Sequence, residues 1–213
     1  RSCHCFKTGR AGGDEAPAFE FMTDLMRSAA QLAGDPKRPL PPVEKWSPPY
    51  CGELNLVIRR DGLWVHEGTP IGRASLVRLF STVLRREGDR YFLVTPVEKL
   101  GIEVEDAPFQ AVAMRQEQAA DGVRLVFTTN VGDEVAAGPG HQIEMRPSGE
   151  GSAPYIHVRA GLDARIVRAV WYDLVAVGET RDINGEPLFG VASGGSFFPL
   201  GNAREITAGT DSD

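Results

Sequence analysis

Cysteine is scarce in this chain: Cys3, Cys5 and Cys51 are its three. An odd, clustered set cannot build a disulfide framework and points to a reducing compartment. No apolar run approaches the roughly 20 residues that a bilayer span requires. The first residues hold no basic stretch followed by an apolar core, so no secretory signal is read and the cytoplasm is the expected location. Excess positive charge is lacking too, with 23 basic against 29 acidic residues and a net charge of −6. Such a surface repels a phosphate backbone, and no basic run carries interleaved aromatics, which argues against a nucleic-acid polymer as partner. A small anionic ligand held by a few arginines stays compatible with this charge.

Catalytic signatures are equally sparse. The chain has no Gly-x-Ser-x-Gly elbow, no His-Glu-x-x-His, no phosphate loop ending Gly-Lys-Ser/Thr and no Gly-x-Gly-x-x-Gly after a strand. Ser2, Cys3, His4 and Cys5 lack two further ligands at finger-like spacing. Glu98, Glu103, Glu105 and Asp106 read as acids on an exposed strand face, and the glycines from Gly190 to Gly195 as a bent strand or hairpin. No catalytic residue, metal set or cofactor is assigned.

What the sequence does hold is punctuation and period. Residues 1–21 show no period and read as a disordered leader. A short helix is expected over 23–33, and a proline-rich strap follows it. The strap holds Pro36, Pro39, Pro41, Pro42, Pro48 and Pro49, whose fixed φ angles and missing donors exclude a helix or central strand. Leu54, Leu56 and Ile58 then alternate with polar residues up to Asp61-Gly62, and Leu63-Trp64-Val65-His66 follows, a hairpin signal. Thr69-Pro70 reads as a helix cap with proline first, Leu76, Leu79, Phe80, Val83 and Leu84 as one helical face, and the helix is expected over 70–87. Residues 91–95 resume as a buried strand.

A shift of 91 positions carries that stripe onto Val167, Val170, Trp171, Leu174 and Val175, and carries Trp64 and His66 onto Tyr155 and His157. This match predicts an internal duplication with a second helix over 162–177. Further antiparallel strands are expected between the copies. The expected fold is therefore α+β, two duplicated β-hairpin–helix–strand half-units with antiparallel sheets. Residues 1–42 would form the leader, the short helix and the start of the strap. Residues 43–130 would form the first half-unit with its connecting strands, 131–205 the second, and 206–213 a disordered tail.

Candidate ligand-binding residues cluster where the two copies match. Trp64 and His66 share one strand face, as do Tyr155 and His157. Arg73 lies in the first helical turn, where the macrodipole disfavours a cation, while Thr69 and Gly72 leave donors and room beside it. An anion or an ion pair with Glu67 explains Arg73 equally well. Arg159 follows His157 on the same strand. From Arg59 to Arg90 the local net charge is +3, which suits an anion.

Several of these segments resemble a bacterial family catalogued as domain of unknown function 1285. They are Trp46-Ser47-Pro48-Pro49, the run from Arg60 to Ile71, Leu93-Val94-Thr95-Pro96-Val97-Glu98, Val104-Glu105-Asp106-Ala107-Pro108-Phe109 and Pro154-Tyr155-Ile156-His157-Val158-Arg159. The resemblance spans about 43–200. It implies a duplicated α+β core with a pleckstrin-homology-like second half, and a cleft between the halves that takes a nucleotide-like ligand in signalling. The first expectation for function is a non-enzymatic ligand-binding or regulatory protein for a small anionic, nucleotide-like molecule, without a membrane span. The alternatives are a hydrolase or transferase using His66 and His157 as acid–base groups, and a protein-binding adaptor. Because residues 1–21 carry no apolar period, a chain beginning at Met22 is expected to melt within error of the full chain in a calorimetric scan.

Overall fold

The computed structural model describes residues 40–203 apart from 121 and 150. The expected leader, the helix over 23–33, most of the strap, Asp121 of one turn and the tail lie outside the described residues. Two compact units divide the chain at Glu105 and Asp106. No helix among the described residues is long and apolar enough to cross a membrane.

The first unit begins with a 3-10 turn, Val43–Lys45, and then strands β1 (Tyr50–Ile58), β2 (Trp64–His66) and β3 (Thr69–Pro70). Asp61-Gly62 turns the first hairpin as expected: Asp61 accepts the Leu63 N–H at 3.0 Å, and Gly62 takes the positive φ, 82°, that a side chain would resist. Helix α1 (Ala74–Thr82) leads to β4 (Leu84–Glu87), β5 (Arg90–Val94) and β6 (Lys99–Val104). The sheet order is β3-β2-β1-β6-β5-β4. Its central pair, β1 and β6, runs parallel, and every other pairing is antiparallel. Leu56, Ile58 and Trp64 are buried on one face, where the Trp64 ring lies 6.3 Å from that of Phe80 on α1.

The second unit holds β7 (Phe109–Ala119), β8 (Gly122–Thr129), β9 (Glu134–Ala136), β10 (Ile143–Ser148), β11 (Gly151–Arg159) and β12 (Leu162–Ile166). They form a second sheet in the order β10-β11-β12-β7-β8-β9, again with one parallel pair, β12 and β7, at the centre. Helix α2 (Arg168–Ala176) follows and packs on β7. A three-stranded sheet, β13 (Glu179–Ile183), β14 (Glu186–Ser193) and β15 (Ser196–Asn202), completes the unit. Counted in chain order, strands seven to twelve repeat the pairing of strands one to six. The third-to-fourth connection is α1 in the first sheet and residues 137–142 in the second. That short link contains a tight Gly138–His141 bridge, so β9 and β10 must lie near each other and the second sheet must curl.

The α+β expectation of hairpin–helix–strand half-units is overturned: the described residues are mainly strand, with two nine-residue helices. Thr69 and Pro70 do not cap a helix but pair with His66 and Val65, because Glu67 (φ 48°) and Gly68 (φ 77°) make a two-residue hairpin turn. Residues 84–87 leave the expected helix to pair with β5. Residues 162–166 form a strand because Leu162, Ala164 and Ile166 are buried with period two. The 91-residue match follows a recurring element string, three strands, a helix and three strands. In the first copy all six strands share one sheet, whereas β13–β15 stand in a sheet of their own.

Arg85 ties the strap to β4. Its guanidinium donates to the carbonyls of Val43 at 2.9 Å and Trp46 at 2.8 Å, and it pairs with Glu87. Replacing Arg85 with Met keeps the stem and removes these charged bonds, which typically stabilise by about 1.5–3 kcal/mol each. Urea unfolding of Arg85→Met should therefore show a stability loss of about 2–4 kcal/mol.

Candidate functional site

In the first unit Trp64 is buried and His66 half-buried on the β2 face toward α1. Trp64 Nε1 and His66 Nε2 are both buried without a partner among the described residues. Thr69, Gly72 and Arg73 are exposed on the approach to α1. Arg73 is the N-cap residue of that helix; no side chain caps the helix, and its first turn carries no acid. Among the described residues Arg73 has no ion pair, so the alternative pairing with Glu67 is not formed.

In the second unit His157 and Arg159 belong to β11. Arg159 pairs with Asp133 and lies over the Phe109 ring, 5.0 Å from its centroid. His157 enters a network that the sequence reading missed. Antiparallel register sets Asp163 opposite His157 and Arg165 opposite Tyr155. Asp163, nearly buried, accepts from His157 Nδ1 at 2.9 Å and from Arg146 Nη1 at 2.8 Å. Asp106 likewise accepts from the Tyr155 hydroxyl at 2.6 Å and from Arg165 at 2.5 Å. Arg146 bridges the two groups by lying 5.1 Å from the Tyr155 ring centroid. Buried Asp163 and half-buried Asp106 thus each hold one arginine and one proton-bearing ring, which satisfies charges that burial would otherwise penalise. A hairpin reading of Ala160-Gly161 would have found Asp163; the expectation of a helix from Leu162 hid it.

His141 is a further residue the sequence did not reveal. Its ring donates to the His157 carbonyl at 3.0 Å and lies 6.3 Å from the His157 ring. A groove of about 590 Å³ between β10 and β15 is lined by Ile143, Met145, Phe197 and Pro199 among others. The glycines from Gly190 to Gly195 serve the hairpin at the groove's end, with Gly194 and Gly195 at positive φ and Phe197 lying where a Gly190 side chain would project.

The class these features define is a β protein built from two six-stranded sheets of like topology, with polar networks tying the strands of the second. Family models describe the same two units: "Domain of unknown function (DUF1285), N-terminal domain" matches residues 41–107, and "Protein of unknown function (DUF1285), C-terminal domain" matches 108–200. The chain belongs to the DUF1285 family. It is similar to the crystal structure of a DUF1285 family protein from Silicibacter pomeroyi DSS-3, with 45% identity, a TM-score of 0.76, and coverage of 86% of this chain and 97% of that one. A second DUF1285 structure, from Shewanella baltica OS155, matches at 30% identity and a TM-score of 0.47, covering 58% of this chain and 91% of that one. No curated protein matches the chain.

Burial first, and then its bond to Asp106, push the Tyr155 hydroxyl above the ordinary tyrosine range. A raised folded-state value means that its contribution to stability is complete below about pH 10 and is lost as pH rises through the folded value. Ultraviolet titration near 295 nm should show one late-ionising tyrosine coupled to alkaline unfolding, and Tyr155→Phe should remove that phase.

Proposed function

We propose that this protein is a non-enzymatic ligand-binding regulator that holds a small anionic, nucleotide-like molecule at the start of α1. The supporting observation is Arg73: an exposed arginine without an ion pair among the described residues, at a helix start that has neither a side-chain cap nor a first-turn acid. Free backbone donors, a positive dipole end and a guanidinium suit a phosphate, and Gly72 leaves room for close approach. Nothing lies within 4 Å of where a Gly72 side chain would begin.

The test is a thermal-shift screen of the full chain against inorganic phosphate, pyrophosphate and nucleoside mono- and triphosphates. A ligand at 100 times its Kd adds about 2.7 kcal/mol of stability. Titration calorimetry with the best stabiliser should then show affinity at least about tenfold weaker in Arg73→Ala, the loss of one charge-assisted hydrogen bond. Arg168→Ala, at the first residue of α2, should bind as the parent does. Normal binding by Arg73→Ala would remove this site. Turnover that disappears in His157→Ala would replace the reading with a hydrolase or transferase.

A further inference from the structure

We propose that Asn184 is a site of spontaneous deamidation and that its conversion to isoaspartate releases β13 from β14, within the second unit and independent of the anion site. Of the four asparagines in the chain, Asn55, Asn130 and Asn202 precede leucine, valine and alanine, whereas Asn184 precedes Gly185. The reaction closes a five-membered ring between the asparagine side-chain carbonyl carbon and the backbone nitrogen of the next residue, so the reacting atoms are neighbours by covalent connection. Glycine has no side chain to obstruct that closure, and both residues are exposed at the tip of the β13–β14 hairpin, open to water and hydroxide. Hydroxide takes the Gly185 N–H proton, the nitrogen bonds to Asn184 Cγ, and the Cγ–Nδ2 bond breaks as that nitrogen gains a proton and leaves as ammonia. Water then opens the succinimide at either carbonyl, giving aspartate or isoaspartate. The sum is asparagine plus water to an acidic residue plus ammonia, with no change of oxidation state.

The turn sets the pace of this step. The Gly185 N–H donates to Asp182 Oδ1 at 2.9 Å, and a proton held by a carboxylate is harder for hydroxide to remove. Asp182 therefore restrains the reaction until the tip breathes. Breathing is easy here, because all five residues of β13 are exposed and none anchors the strand in a core. The product cannot return to the same turn. Asn184 and Gly185 both adopt positive φ, 57° and 85°, and close directly onto the Ile183–Glu186 pair. Isoaspartate routes the main chain through the former side chain and adds a methylene to it, so a two-residue loop no longer spans that pair. β13 then detaches, and the edge of β14 that it covered is left unpaired.

The test ages the full chain at mildly alkaline pH and follows each asparagine by peptide mass mapping. Asn184 should convert to a mixture of aspartate and isoaspartate while Asn55, Asn130 and Asn202 stay intact. Asp182→Ala should convert about two- to tenfold faster, the range expected from losing one hydrogen bond. Amide hydrogen exchange of the aged chain should show protection lost across Glu179–Ile183 and kept in β15. Asn184→Gly, which suits the same turn and has no amide to lose, should keep that protection after identical ageing. Conversion spread evenly over the four asparagines, an intact Asn184, or an Asp182→Ala rate equal to the parent's would overturn the proposal. So would an isoaspartate-containing chain whose β13 amides remain protected.

Discussion

The parallel pairing at the centre of each sheet is the constraint on which the rest of this structure depends. β1 pairs with β6, and β7 with β12, each joining the first and last strands of its sheet. Hairpins then grow outward from both members, so the third and fourth strands become opposite edges. Their connection must cross the sheet or the sheet must curl to shorten it. The first unit crosses with α1; the second folds back at Gly138 and His141. A nine-residue helix in one place and a short turn in the other answer the same topological demand, which is why the helix does not mark the repeat.

The two faces of β10–β12 divide the labour of holding the second sheet. Ile143, Ile156, Ala164 and Ile166 form a buried apolar side. The opposite side carries Arg146, Tyr155, His157, Asp163 and Arg165, with Asp106 bonded across it. A slip of one residue in β12 would exchange its faces and place Asp163 against the apolar core. The ionic network therefore specifies register more than it adds net stability, since desolvation offsets much of its Coulomb energy.

Turns with positive φ were the most legible part of the sequence. Asp61-Gly62 announces its hairpin because only a few residue types tolerate that backbone. Glu67-Gly68 does the same work with a weaker signature, and Thr69-Pro70 beside it imitates a helix cap. The apolar stripe of α1 was read correctly in kind but not in length, because Val83 and Leu84 continue its helical spacing into a strand. Sheet pairing between distant strands leaves no local mark, so the strand order lay beyond the 91-residue match. His157 was legible as a candidate, but Asp163 depends on register. His141 depends on a backbone carbonyl, which no residue type announces.

Strand order also governs when each unit can form during synthesis. β1 emerges from the ribosome first but finds its central partner only after β6 has followed it, about forty residues later. Until then two hairpin arms exist with no centre, and one edge of β1 is unpaired. Parallel pairing across such a separation is slow to form because the loop must be closed before the contacts stabilise it. Each six-stranded sheet therefore behaves as a latch that its last strand fastens. A chain shortened by one strand at either closing point, Lys99–Val104 or Leu162–Ile166, loses the whole sheet rather than its edge.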